Sequence, residues 1–206
     1  LARLIALLHD IGRFEQLKRY DSFEPGTMDH AAYGVKVLFD EGMIRRFLPD
    51  DKWDSIIYTA IAHHSDYELP EISDPQTLLH AKLIRDEDKL DNCRVKLVDS
   101  TSTFINVSEE ELGTQNITQK VYETVFKNKC ILSADRVTQM DYWVSYIVYF
   151  FDINFKESFD IIAENDYLNR IIDRIPYSNP VTKEQMENIR VYMQNFINSH
   201  TNGQSF

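Results

Sequence analysis

The stretch Leu1-Ala2-Arg3-Leu4-Ile5-Ala6-Leu7-Leu8-His9-Asp10-Ile11-Gly12 decides the fold. Its first eight residues are nearly all apolar. The run then ends on a histidine, an aspartate and a glycine, and Gly12 reads as a helix stop. His9 lies four residues after Ile5 and three after Ala6, while Asp10 lies three after Leu7 and four after Ala6. Both extend the apolar stripe of the helix, so both are predicted to face the core. Leu1 opens inside a helix already under way, and residues upstream of it are expected.

Outward from this stretch, the chain reads as a succession of helices. Residues 13–26 are polar, with Pro25-Gly26 as turn punctuation, and no helix is assigned there. Thr27 or Asp29 can cap a helix reaching about Glu41, closed by Gly42. Asp50-Asp51 can cap one from about Trp53 to His64. Asp74-Pro75 opens another that reaches about Asn92, since Pro is favourable at the first helical position. Residues 95–113 are less periodic, and their acidic run Glu109-Glu110-Glu111 reads as a solvated helix start. Helices resume near 118–127, 134–151, 156–164, 166–174 and 183–198, with Ser133 and Thr182 as caps. The tail 201–206 reads as frayed. The predicted fold class is all-α.

Composition supports that reading. A chain of 206 residues, 43% hydrophobic, can bury a sizeable core as one helical domain or a domain with an extension. With only 6 Gly and 6 Pro, long helices fit better than a β-sandwich. The net charge of -11 repels nucleic-acid backbones and anionic membranes, so neither a nucleic acid polymer nor a membrane is an expected partner. The two cysteines, Cys93 and Cys130, form no disulfide framework and no CxxC pair, which fits a reduced, cytoplasmic setting. Residues 140–155 are rich in aromatics, among them Trp143, Tyr146, Tyr149 and Phe150. They read as a core helix, with a homodimer interface or a base-stacking pocket wall as the alternatives.

Further ligand-type residues follow His9-Asp10 in order: His30, the pair His63-His64, and the acidic helix end Arg85-Asp86-Glu87-Asp88-Lys89-Leu90-Asp91. His64 follows Ile57, Ala60 and Ile61 at helical spacings, and His63 follows Ile56 and Ala60. Asp88 follows Ala81 and Ile84, but Asp86 shares a face with Leu79 and Leu83, and Asp91 sits beside Asp88. Spacing alone therefore leaves the late acid open. An isolated buried carboxylate would shift its pKa or destabilise the fold, and a divalent metal removes that penalty. Imidazole nitrogen and carboxylate oxygen are ligands for Zn, Mn, Fe, Co or Ni.

At this point the residues resemble the HD superfamily of metal-dependent phosphohydrolases. Leu7-Leu8-His9-Asp10-Ile11-Gly12-Arg13 is similar to its central motif, and Ile84-Arg85-Asp86-Glu87-Asp88-Lys89-Leu90 to its late motif. In the late motif the aspartate before Lys/Arg-Leu is the ligand, which assigns Asp88. The resemblance covers about residues 1–95 and implies an HD helical bundle there, with 96–206 as a C-terminal helical extension packed on it. The family's first histidine belongs about one long helix before His9, upstream of this sequence. His30 and His63-His64 resemble the two-metal subset. The resemblance implies His9, Asp10 and Asp88 at one metal, and His30, His63 and His64, with Asp10 bridging, at a second. The metals would be one or two of Mn, Fe, Co, Ni, Zn or Mg.

The expected reaction is hydrolysis of a small phosphorylated molecule, a nucleotide among the candidates. Asp10 and Asp66 are the candidate catalytic acids, with Asp66 orienting water. Arg13 and Lys89 are candidate phosphate contacts. The Gly-Tyr-Pro signature of cyclic-dinucleotide-cleaving members is absent, and the histidine pair runs instead into Ser65-Asp66-Tyr67. Two alternatives share the ligand set: an HD-like di-iron oxygenase and a non-catalytic metal- or ligand-binding sensor.

Overall fold

The computed structural model describes residues 1–23 and 27–201. The expected turn at Pro25-Gly26 and the tail from 202 lie outside them. Among the described residues every regular element is helical and none is a strand. The chain divides into two compact units, Leu1–Asp88 and Lys89–Phe206.

The first unit holds α1 (Ala2–Leu8), α2 (Gly12–Tyr20), α3 (His30–Val35), α4 (Asp54–Ala62) and most of α5 (Pro75–Val98). A π-helical turn, Lys36–Asp40, prolongs α3 to Gly42, whose φ of 76° supplies the left-handed closure. The core of this unit gathers Ile5 and Leu8 of α1, Leu38, Ile57 and Ile61 of α4, and Ile84 of α5. Asp29 caps α3, accepting from the Ala32 amide at 2.9 Å. Asp74 caps α5, accepting from the Thr77 amide at 2.7 Å. Asp50 and Asp51 do not cap α4 with their side chains: Trp53 takes the cap position without a side-chain bond, and the Asp50 carboxylate accepts from the Lys52 amide instead. The helix α5 also runs past its expected end at Asn92.

Gly12 does not stop a helix; it starts one. The polar stretch after it forms α2 because its charges pair along the helix surface. Glu15 holds Arg19 at 2.7 Å one turn on, and acidic first-turn and basic last-turn residues suit the helix dipole. Gly12 itself is set by packing. A Cβ there would lie 2.0 Å from the His30 carbonyl oxygen and 2.9 Å from the Gly34 amide nitrogen. The glycine thus lets the start of α2 press backbone to backbone on α3, and this carries His30 toward His9 and Asp10.

The second unit holds the end of α5, α6 (Thr101–Ile105), α7 (Glu109–Leu112), α8 (Gln119–Val125), α9 (Gln139–Val148), α10 (Lys156–Glu164), α11 (Tyr167–Asp173) and α12 (Pro180–Thr201). The aromatic stretch is its core: Trp143, Ile147 and Phe150 are buried among Met140, Ile171 and Met193. The expected helix at 134–151 begins only at Gln139. Thr138 and Asp141 form a capping box there, so Ser133 is not the cap. Nor is Thr182 a cap. Asn179 accepts from the Val181 amide at 3.0 Å, while the Thr182 hydroxyl donates to the Gln115 carbonyl at 2.7 Å. The acidic run does open a helix, α7, with Ser108 accepting from the Glu111 amide. Among the described residues no helix is long and apolar enough to cross a membrane.

The Gly12 contact generates a test. Gly12→Ala forces α2 and α3 apart and should lower stability by about 1–3 kcal/mol, the scale of overpacking. Urea unfolding followed by circular dichroism measures it. Unchanged stability would show that the two helices do not need this approach.

Candidate metal centre

Two helices of the first unit end in the same way. At the end of α1, His9 Nδ1 lies 2.9 Å from the Ala6 carbonyl oxygen. After α4, His64 Nδ1 lies 2.7 Å from the Ile61 carbonyl oxygen. A helix leaves its last carbonyls without intrahelical donors, and each ring supplies one. A carbonyl can only accept, so Nδ1 carries the proton in both rings. When such a ring is neutral its Nε2 offers a lone pair, the arrangement in which a backbone carbonyl orients a metal-binding histidine.

Both Nε2 atoms reach a common region. His64 Nε2 lies 3.5 Å from Asp10 Oδ1, and His30 Nε2 lies 3.3 Å from the same oxygen. The His30 and His64 Nε2 atoms are 3.0 Å apart. His9 Nε2 stands 3.8 Å from Asp10 Oδ2 and 3.8 Å from Asp88 Oδ1. The structure therefore brings His9, Asp10, His30, His64 and Asp88 together from α1, α3, α4 and α5. Ligand atoms of His9, Asp10 and His64 all lie within 4.8 Å of one another.

His63 faces a different partner. Its Nδ1 lies 2.6 Å from Asp66 Oδ2, and both side chains are partly exposed. The carboxylate holds the His63 ring as the carbonyls hold His9 and His64, with the proton on Nδ1. Arg13 lies beside the cluster: Nε is 3.4 Å from Asp10 Oδ1, and Nη1 donates to Gln16 Oε1 at 3.1 Å. Gln16 is fully buried and its amide donates to the Thr27 hydroxyl at 2.8 Å. Lys89 is buried, with Nζ 2.7 Å from Asp152 Oδ2, and both belong to the second unit.

The electrostatics fit a missing cation. Burial opposes ionisation of Asp10, but hydrogen bonds from His30 and His64 and the charges of His9 and Arg13 prevail, holding its carboxyl well below the usual range. Asp88 is lowered too: burial opposes this, while contact with His9 and the His64 charge drive it. His9 is raised, because Asp88 and Asp10 outweigh its burial. His30 is lowered, chiefly by burial. Two ionised carboxylates converge with three imidazoles. In the metal-free protein a proton on His9 offsets part of that charge. Imidazole and carboxylate together are the donor set of Zn, Mn, Fe, Co and Ni, so these residues fit a divalent metal.

Sequence reasoning missed two residues here. Arg85, 2% exposed, donates from Nη1 to the carbonyl oxygens of His63, His64 and Asp66. Gln16 steadies Arg13. Neither had a periodic signal: Arg85 is flanked by charges, and Gln16 lies in a helix of polar pairs.

An all-helical unit with histidines and aspartates converging from four helices offers a donor set that could hold a metal ion. Residues 1–93, a little under half of the chain, match the family model of the HD domain. The family consists mostly of metal-dependent hydrolases. No curated protein and no solved structure matches the chain closely enough to add to this.

A pH dependence follows. Metal must displace the proton that His9 holds, and the neighbouring Asp88 and Asp10 carboxylates, outweighing burial, keep that proton bound above the ordinary histidine value of 6.5. Metal affinity should rise with pH through and beyond that value, with proton release. Calorimetric titration of Mn(II) in two buffers of different ionisation enthalpy reads the released proton. A pH-independent affinity without proton release would contradict the arrangement.

Proposed function

We propose that the chain hydrolyses an ester bond of a small phosphorylated molecule, with a nucleotide among the candidates, using one or two divalent metal ions. The observation that carries this reading is the meeting of His9, Asp10, His30, His64 and Asp88 around Asp10 Oδ1 and His9 Nε2. His9, Asp10 and Asp88 would hold one ion. His30 and His64, with Asp10 shared, would hold a second, while His63 is held by Asp66 instead. Mn, Fe, Co, Ni, Zn and Mg remain the candidate metals. A bound divalent ion lowers the pKa of water toward neutrality and draws charge from phosphoryl oxygens.

The chain's own residues divide the remaining work. Asp10 contacts three of the imidazoles, and its side chain is 42% exposed, so substrate can approach it. Arg13 is held by Asp10 and Gln16 in a fixed pose beside that opening. Its guanidinium carries five donors, more than these two bonds use, and is suited to phosphoryl oxygens. Asp66 orients the His63 ring, and with its exposed carboxylate it is the candidate to align an attacking water. Lys89 is engaged by Asp152, so Arg13 is the phosphate contact of choice. The net charge of -11 leaves a polyanionic polymer a poor substrate and favours a small one drawn in by metal and a single arginine. The proposed cytoplasmic setting rests on Cys93 and Cys130 being free thiols; burial pushes the Cys93 thiol up to about 12, which makes it a poor nucleophile.

Asp10→Ala should abolish both Mn(II) uptake and turnover in a screen of phosphorylated metabolites, with helix content intact by circular dichroism. Arg13→Ala should keep metal binding and lose about 10–100-fold in kcat/KM, matching roughly 1.5–3 kcal/mol for a hydrogen bond to a charged group. Full turnover by Asp10→Ala would end the proposal. Oxygen consumption by an iron-loaded protein that hydrolyses nothing would replace it with an oxygenase.

A further inference from the structure

One buried cation reaches the centre from α5 without belonging to the ligand set. Arg85 Nη1 donates to the carbonyl oxygens of His63 at 2.9 Å, His64 at 3.3 Å and Asp66 at 2.7 Å. These carbonyls lie in the turn just past α4, whose last residue is Ala62. A helix end presents carbonyls without intrahelical donors at the negative end of its dipole. A guanidinium, planar and permanently charged, suits that end, because it neutralises the dipole and bonds the oxygens at once. Arg85 also stands three residues before Asp88, on the same side of α5. The same helix therefore grips the turn that carries His64 and supplies the acid that faces His9.

We infer that Arg85 is a positioning residue. It locks the turn from His63 to Asp66 against α5, and so sets His64 Nε2 relative to Asp10 and Asp88. It acts through His64 and Asp66 and touches neither metal nor substrate. Its consequence for metal binding rests on the proposed function, whereas its effect on the His64 ring does not. A helix-end cation that only stabilised the unit would lower thermal stability and leave the ring and the metal geometry as they are.

The experiment reads both levels. In the metal-free protein, the His64 Nδ1 proton is buried and bonded to the Ile61 carbonyl, so it should exchange slowly with solvent by NMR. Arg85→Gln should speed that exchange at least tenfold. In the same variant Co(II) affinity should fall about 10–100-fold, the usual effect of losing a residue that orients a metal ligand, and the cobalt visible bands should shift. Arg85→Lys, which keeps the cation but not the fork, should lie between. Ile44→Val, a core change elsewhere in the unit, should lower stability and leave proton exchange and the cobalt spectrum unaltered. If Arg85→Gln unfolds, Arg85→Lys carries the test by the same two readouts. Wild-type exchange and wild-type cobalt spectra in the folded variant would overturn the inference. If the wild-type protein takes up no cobalt but Arg85→Gln still releases the His64 proton, the hydrolase reading fails and the positioning role stands.

Discussion

The centre depends on one short-range contact, a histidine Nδ1–H donating to a backbone carbonyl at the end of a helix. His9 makes it to Ala6 and His64 to Ile61, each three residues back. The bond gives a carbonyl of the helix's last turn a side-chain donor. It also decides which ring nitrogen keeps a lone pair and where that lone pair points. The bond is not sufficient alone. His200 Nδ1 lies 2.8 Å from the Phe196 carbonyl at the end of α12, and there it merely closes a helix and stacks on Phe159. A metal-type site arises where two such ends meet the carboxylates of Asp10 and Asp88.

Bringing the third imidazole in requires a different device. His30 opens α3, and α3 can approach only because Gly12 and Gly34 lack side chains at the crossing. A Cβ on Gly34 would already stand 3.4 Å from the Gly12 amide nitrogen. The Asp29 cap then fixes where α3 begins, and so where His30 stands. Local chemistry at helix ends and one tight backbone contact thus place five ligand-type groups.

The parts legible in the sequence were those written as periodicity. His9, His64 and Asp88 follow residues that are indeed buried, Ile5, Ile57, Ile61 and Ile84, but the residues read as the stripe of Asp10, Ala6 and Leu7, are exposed, and the Asp10 side chain itself is 42% exposed. The all-α class followed from the same signal. What escaped was held by interactions that periodicity does not record. The helix α2 is built on polar i,i+4 pairs, so its sequence looked like a loop. Gly12 resembled a helix stop because a close backbone contact and a C-terminal turn both call for glycine. Arg85 was read only as part of an acidic helix end and Asp86 as an alternative ligand; both are buried, while Glu87 and Asp91 of that run are exposed. Lys89, read as a phosphate contact, meets Asp152, a partner 63 residues away that no local pattern announces. His63 differs from His64 by one position, about 100° around a helix. That rotation turns it toward Asp66.

The account stands on a cation shared by these side chains. The most direct measurement is anomalous diffraction from crystals grown with Mn(II), recorded at an energy where manganese scatters strongly. The expected result is a peak about 2.0–2.3 Å from His9 Nε2 and from carboxylate oxygens of Asp10 and Asp88, with any second peak bounded by His30 and His64. Anomalous density confined to surface carboxylates, with these five side chains bonded only to one another, would contradict it.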